Sequence, residues 1–268
     1  MSTLTLTVQD SRTMLRRNLR RLVRYPSMTV LLVGMPIVFL LLFVYVFGGQ
    51  LGAGLGSKLS GGHTGRAAYL NYVTPGVLLM TVAAAVQGTA IVVAMDMTGG
   101  IIDRFRTMAI ARSAVLTGHV IGAMIQTLVS LGIVLVVAIA LGFRPTANPV
   151  NWLAAIGILA AFAFALVWLA TALGLAAKSV ETASNTPMFL TLLPFLSSGF
   201  IVLATLPAGL RQFAHYQPFT PVIETVRGLL TGSHVGTNAV SALAWSAAIA
   251  LLSYVWAMRL YHARRARV

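Results

Sequence analysis

Six long apolar stretches constrain this sequence more than any other feature. A helix needs roughly 20 residues to cross a hydrocarbon core of about 30 Å, and each stretch is close to that length or longer. We therefore predict an all-α membrane protein with six transmembrane helices. The predicted spans are residues 28–47, 70–95, 113–141, 152–177, 188–206 and 239–258.

Composition agrees with a protein whose main solvent is lipid. Hydrophobic residues make up 58% of the chain and charged residues only 9%, far from the balance of a soluble domain. The stretches between predicted spans reach only roughly 20 to 30 residues, too few to bury a core unaided. We expect one transmembrane domain over 1–268. Its parts would be an interfacial helix at 1–26, a six-span bundle at 28–258 and a basic cytoplasmic tail at 259–268.

The distribution of basic residues predicts the orientation. Short loops rich in lysine and arginine tend to stay in the cytoplasm. Six spans place both termini on one side, and if that side is the cytoplasm, the inner segments hold fourteen of the 19 basic residues. The opposite orientation would invert this ratio. We therefore expect both the N and C termini in the cytoplasm.

An arginine-rich segment precedes the first predicted span. Leu15, Leu19 and Leu22 recur at helical spacing on one side, and five arginines lie opposite. This pattern predicts an amphipathic helix in the membrane interface, with arginines near lipid phosphates. A simple positive-inside anchor for the first span explains the arginines equally well. The five are Arg16, Arg17, Arg20, Arg21 and Arg24.

A second amphipathic segment lies between the second and third predicted spans. Ile102, Phe105 and Met108 fall on one helical face with charged side chains opposite. About a dozen helical residues would be about 18 Å long, enough to rest in a groove on another protein. A surface helix that only packs on lipid is the alternative. The other candidate docking residues of this segment are Gly100, Asp103, Arg104 and Arg106.

The connection between the fifth and sixth predicted spans contains an apolar stretch too short to cross. We expect Thr220 to cap a helix that Pro221 begins, with Glu224 and Arg227 paired on one face. This predicts a re-entrant helix at the outer surface. An acidic residue in such surroundings is a functional candidate, although a purely structural ion pair is favoured. The candidate residues are Pro218, Pro221, Glu224, Arg227 and Gly228.

Three amide side chains in or near the predicted spans are candidates for contact with a mostly apolar substrate. Hydrogen bonding between neighbouring helices is the favoured alternative for each of them. These pathway candidates are Gln87, Gln126 and Asn185.

Several kinds of chemistry are not expected on this chain. No Gly-Lys dipeptide occurs, so a Walker A loop for ATP is excluded. Cysteine is absent, and the histidines lack the spacing of a metal site. The basic residues do not form the single face that a nucleic-acid reader needs. We expect no enzyme activity, no metal and no nucleic acid. The central parts of the spans lack ionisable residues, which disfavours an ion-coupled carrier.

Three segments, in this order, give the chain a resemblance to a known family. It resembles the membrane subunit of type-2 ATP-binding-cassette (ABC) exporters, particularly the daunorubicin-resistance permeases of bacteria. The resemblance covers nearly the whole length. The segments are YLNYVTPGVLLM at 69–80, GGIIDRFRTMAIARSAVLTGH at 99–119 and QPFTPVIETVRGLLTG at 217–232.

The resemblance implies a fold and a set of partners. The helix at 102–108 would be the coupling helix, resting on a separate cytoplasmic ABC ATPase, and the segment around Glu224 would be the outer re-entrant element. Two ATPase copies, which bind ATP and Mg²⁺, and a second permease, identical or homologous, would complete the assembly in the bacterial plasma membrane, in contact with lipids. The chain itself would carry no cofactor.

The implied function is efflux of a hydrophobic or amphipathic compound, such as a drug, an antibiotic or a lipid-like natural product. Two alternatives from other classes stay open. One is a membrane assembly or sensor subunit that transports nothing, and the other is an ion-coupled secondary carrier.

Overall fold

The computed structural model describes residues 26–54, 65–98 and 112–263, and within them the chain forms helices and turns without a β-strand. The all-α expectation is therefore confirmed. The predicted N-terminal helix, with Arg16 and its neighbours, and the predicted coupling helix at 102–108 lie outside the described residues. The long helices are α1 (Pro26–Leu42), continued by a π-helical turn (Phe43–Phe47) and α2 (Gly48–Gly54), then α3 (Gly65–Thr98), α4 (Arg112–Ala140), α5 (Pro149–Ala176) and α10 (Asn238–Ala263).

Short helical elements fill the connection between α5 and α10. They are α6 (Val180–Asn185), α7 (Met188–Leu192), a 3₁₀ turn (Leu193–Leu196), a second 3₁₀ turn (Leu203–Thr205), α8 (Ala208–Tyr216) and α9 (Phe219–Thr231).

Five helical stretches in the described residues are long and apolar enough to cross a membrane. They correspond to the first, second, third, fourth and sixth predicted spans. Their bounds are Leu32–Gln50, Gly65–Thr98, Leu116–Ala140, Pro149–Ala176 and Asn238–Tyr261.

The fifth predicted span, 188–206, does not form one continuous helix. Pro187 directly precedes α7 and Pro194 lies in the 3₁₀ turn, and proline lacks the N–H that a continuous helix requires. The segment nevertheless runs alongside α3. Gln87 of α3 bonds to Ser184, and Tyr72, 15 residues earlier, bonds to Ile201. These contacts are about 22 Å apart along α3, so 184–201 runs beside α3 as an interrupted helical segment, which we term the broken crossing.

α3 is the central helix of the bundle. It contacts α1, α4, α5 and α9 as well as the broken crossing, and most of its residues are buried. It also approaches Gly199 of the broken crossing closely, because a methyl group added to Gly76 would lie 2.8 Å from the Gly199 backbone. Such close backbone contact between membrane helices requires small residues. Apolar side chains of α4 and α10, including Val136 and Leu252, are exposed and suit a lipid environment.

A buried polar contact lies near each end of α3. At one end, Asp96 lies 3.3 Å from His119 of α4, and both side chains are buried. At the other end lies Arg227 of α9, which belongs to the site described next.

Candidate functional site

α9 is a buried helix that is too short to cross a membrane. Its 13 residues include the buried Phe219, Ile223 and Val226, and it packs against α3, α5 and α10. The expectation for its start was wrong: it begins at Phe219, two residues before Pro221, and Pro218 occupies the N-cap position. The helix ends at Gly232, whose φ of 73° favours glycine.

Thr220 does not cap α9 as predicted. It lies inside the first turn, where its hydroxyl donates to the carbonyl oxygen of Ala214. The same hydroxyl oxygen accepts a 3.4 Å hydrogen bond from the backbone N–H of Ser198. Thr220 therefore joins α9 to α8 and to the broken crossing.

Arg227 is a buried cation with several partners. Its side chain is 5% exposed and forms a 2.7 Å ion pair with Glu224, as the sequence spacing predicted. The guanidinium carbon also lies 4.0 Å from the centre of the Tyr72 ring. A buried charge is tolerated only when such partners compensate for the loss of water.

The guanidinium of Arg227 also binds backbone carbonyls on two other elements. It donates to the carbonyl oxygens of Tyr72 in α3, at 3.1 Å, and of Ser198 in the broken crossing, at 2.6 Å. A broken helix leaves carbonyl groups without intrahelical donors, and at membrane depth the protein itself must bind them. Arg227 supplies donors at this break.

Gln217 also donates to carbonyl groups of the broken crossing, a few residues before Ser198 in the chain. Its amide nitrogen donates to the carbonyl oxygens of Leu193, at 3.1 Å, and Leu196, at 2.8 Å. Together, Gln217, Thr220 and Arg227 form what we term the polar anchor. These three side chains satisfy backbone groups of the irregular segment, and Arg227 also joins it to α3.

An aromatic cavity of about 490 Å³ lies beside the polar anchor. Its walls come from the π-helical turn, α2, the first turns of α3 and the broken crossing with its continuation to Thr205. π-helical turns within α-helices are frequent at functional sites, and this one contributes two phenylalanines. The lining residues are Phe43, Phe47, Gln50, Tyr69, Tyr72, Phe195, Phe200, Ile201, Val202 and Thr205.

Packed aromatic rings form one wall of the cavity. The ring of Phe200 lies 4.9 Å from those of both Phe43 and Phe195, measured between centroids. Phe39 packs edge-on against Phe195 at 5.4 Å. These separations are within the range of favourable aromatic pairing, so the wall joins α1 and its π-helical turn to the broken crossing.

Tyr72 links the cavity to the polar anchor. Its ring lines the cavity, its hydroxyl donates to the carbonyl oxygen of Ile201 at 3.1 Å, and its own carbonyl oxygen accepts from Arg227. A displacement of the broken crossing would therefore change contacts both in the aromatic cavity and at the polar anchor.

The predicted pathway residues lie elsewhere. Gln87 donates to the carbonyl oxygen of Ser184 at 3.1 Å, which is the interhelical bonding considered as the alternative. Asn185, the next residue of α6, is exposed, and Gln126 is half-buried on α4. Gln87, Gln126 and Asn185 are not among the residues that line the aromatic cavity.

The predicted outer residues are brought together. Pro218, Pro221, Glu224, Arg227 and Gly228 all belong to α9 or its N-cap. Gly228 lies close to the turn after α9, because a methyl group there would be 2.9 Å from Val235.

The aromatic residues of the cavity were not predicted from the sequence. Phe39, Phe43 and Phe47 recur every four residues, a spacing that places them on one side of a helix. That signal was available in the sequence. The contribution of Phe195 and Phe200 could not be predicted in this way, because both residues lie where the predicted continuous helix is broken.

The ABC-2 type transporter family matches residues 9–231. The chain is similar to the daunorubicin resistance ABC transporter permease protein DrrB1 of Streptomyces coeruleorubidus, with 28% identity over 90% of this chain and 82% of the relative.

A second similarity is to the probable doxorubicin resistance ABC transporter permease protein DrrC of Mycobacterium tuberculosis. It reaches 24% identity over 66% of this chain and 65% of the relative. The family match spans most of the chain, including α9 and the lining of the aromatic cavity. The chain therefore belongs to the ABC-2 type transporter family.

Proposed function

We propose that this chain forms the membrane path of an ATP-driven exporter for hydrophobic or amphipathic compounds. The observation that carries the proposal is the aromatic cavity beside the broken crossing, in a member of a transporter family. Apolar pockets with a few polar groups are typical of small-molecule sites. The relatives are named for resistance to daunorubicin and doxorubicin, and a drug-like substrate suits such a cavity.

The energy would come from a separate ABC ATPase. Family membership implies that partner, and we propose two copies of it, each binding ATP and Mg²⁺, on the cytoplasmic side. The segment at 102–108, with Arg104 and Phe105, would dock on the ATPase, and the N-terminal arginines would lie alongside it. This arrangement would put both termini in the cytoplasm and the α9 end of the bundle outside, as the positive-inside rule favours.

A second permease, identical or homologous, would complete the path. ATP-driven closure of the ATPase pair would move the docked segment and, with it, α3 and α4, which flank that segment. Such rigid-body motion is a common route from a local contact to a global change. The broken crossing is suited to respond, because its own helical hydrogen bonds are interrupted and a few side-chain hydrogen bonds join it to α3.

The proposal is tested by reconstituting the chain with its ATPase partner in inside-out proteoliposomes. We expect daunorubicin to accumulate inside only when ATP and Mg²⁺ are added outside. A control complex whose ATPase cannot hydrolyse ATP should not accumulate it. Full accumulation without any ATPase would contradict the proposal.

The same preparation separates the alternatives. A carrier coupled to protons would stop when a protonophore collapses the gradient at constant ATP, whereas the proposed exporter would continue. A subunit for assembly or sensing would show no ATP-dependent accumulation of any compound in a lipophilic panel. Either result would contradict the proposed function and support the corresponding alternative.

A further inference from the structure

We propose that Asp96 and His119 form a positioning contact that makes the adjoining ends of α3 and α4 move as one body, so that a movement of the segment between these helices reaches the rest of the bundle. As a statement about transport, this rests on the proposed function. As a statement about how α3 is held to α4, it stands on the contact itself.

The pair lies close to the point where the chain leaves α3 and enters α4. Asp96 is in the last turn of α3, which ends at Thr98. His119 lies about two turns beyond Arg112, where α4 begins. Asp96 Oδ2 is 3.3 Å from His119 Nε2, and both side chains are buried. The segment at 99–111, which contains the proposed docking residues, therefore joins two helices that are in contact near its ends.

Helix formation does not account for the acidic residue at this position. The helix dipole disfavours an anion in the last turn, and burial of a carboxylate is costly without a partner. Replacing a buried ion pair by apolar side chains is often neutral for stability, and the best attested use of a buried polar contact is to fix one register. We therefore assign the contact between Asp96 and His119 to the alignment of α3 with α4.

Apolar contacts flank the pair. Val93 of α3 packs in one cluster with Leu116 and Val120 of α4, and the gain from apolar burial is non-directional. An apolar surface therefore permits small sliding or rotation of one helix against the other. A buried polar contact is directional and specifies one arrangement.

α3 is also joined closely to the elements that would receive the movement. A methyl group at Gly174 of α5 would lie 2.7 Å from the carbonyl oxygen of Ala90 in α3. Gln87 of α3 bonds to Ser184 at the start of the broken crossing. Close-packed interiors transmit strain, so a displacement of α3 would reach both α5 and the broken crossing.

The first test compares transport with ATP hydrolysis in the same inside-out proteoliposomes, with daunorubicin as the transported compound. The variants are Asp96→Leu, His119→Leu and the double variant. Thr89→Val is the matched control. Thr89 lies about two turns before Asp96 on α3, and its hydroxyl bonds within the same helix, to the carbonyl oxygen of Ala85.

We expect either single variant to lower the amount transported per ATP hydrolysed by about two- to thirtyfold, the range in which single residues alter coupling between sites. The bound ATPase and its rate of hydrolysis should stay the same. The double variant should fall no further than the more affected single variant, because both changes break one contact. Thr89→Val should change none of these quantities.

Three results would overturn the positioning role. They are unchanged transport per ATP in the single variants, independent losses that multiply in the double variant, and a parallel fall in transport and hydrolysis.

A second test needs neither ATPase nor transport. Spin labels at Thr98→Cys and Ile121→Cys report the distance between the adjoining ends of α3 and α4, since both residues are exposed and the chain has no cysteine of its own. In nanodiscs we expect one narrow distance distribution, which broadens in Asp96→Leu and in His119→Leu but not in Thr89→Val. Equal widths in all of them would show that the pair does not hold α3 to α4.

These outcomes are distinguishable from failure of the proposed function. If ATP-driven transport is absent from the unmodified chain but the distances broaden as expected, the contact aligns the helices and the exporter proposal fails. If transport occurs and Asp96→Leu and His119→Leu keep the same transport per ATP, the exporter stands and the movement passes through other contacts.

Discussion

Arg227 of α9 donates a 2.6 Å hydrogen bond to the carbonyl oxygen of Ser198 in the broken crossing. The same guanidinium pairs with Glu224 and reaches the backbone of α3. One side chain thus joins two regular helices, α9 and α3, to the irregular backbone of the broken crossing. A break in a membrane-crossing segment is stable only if its free carbonyl groups find donors, and this contact provides one.

Replacing Arg227 with methionine should destabilise the protein by about 2 to 4 kcal/mol, because it leaves the Ser198 carbonyl and Glu224 without their cationic partner. Thermal unfolding in nanodiscs measures the change. Arg211→Met is the control, since Arg211 is exposed and its guanidinium bonds locally, to the carbonyl oxygen of Leu206. Similar losses in both variants would contradict a special role for Arg227.

Replacing Gln217 with leucine should release the carbonyl oxygens of Leu193 and Leu196. We expect a loss of about 1 to 3 kcal/mol in unfolding free energy, the cost of leaving buried polar groups unpaired. Hydrogen exchange should also become faster in the broken crossing. Gln212→Leu, on the exposed surface of α8, should alter neither quantity, and equal protection in Gln217→Leu would refute the polar anchor.

Replacing Gly76 with alanine should strain the contact between α3 and the broken crossing. The new methyl group would lie 2.8 Å from the Gly199 backbone, and overpacking of this kind costs about 1 to 3 kcal/mol. Gly88→Ala tests the same change on the same helix where nothing lies within 4 Å. That variant should be neutral or slightly more stable, because alanine favours helix.

The buried pair of Asp96 and His119 should show energetic coupling. Asp96→Leu and His119→Leu should each destabilise the protein, and the double variant should lose less than the sum of the two. For residues in direct contact the expected coupling is about 0.5 to 3 kcal/mol, measured by thermal or denaturant unfolding. Strict additivity would mean that the 3.3 Å contact contributes no net stability.

Replacing Phe105 with alanine tests the proposed coupling segment by function. We expect ATP-driven transport to fall strongly while the amount of protein in the membrane stays the same, because contact with the ATPase would be lost. Phe189→Ala removes a ring from an exposed position and should leave transport intact. Full transport by Phe105→Ala would show that Phe105 is not needed for docking on the ATPase.

The sequence by itself determined the class of the protein. The length and apolarity of the spans predicted an all-α membrane protein, since only helices and closed barrels satisfy their backbone groups in lipid. The pairing of Glu224 with Arg227 also followed from local spacing, because residues three apart share a helical face. Both properties depend on short-range regularity.

Only the tertiary structure decided the path of residues 184–201 and the site around it. The hydropathy of this stretch resembles that of a continuous span, but its prolines break the helix, and the carbonyl groups released are bound by Gln217 and Arg227, more than twenty residues away. The same break brings Phe200 to Phe43. Contacts between residues so distant in sequence arise from packing and compensation of polar groups, which no local pattern encodes.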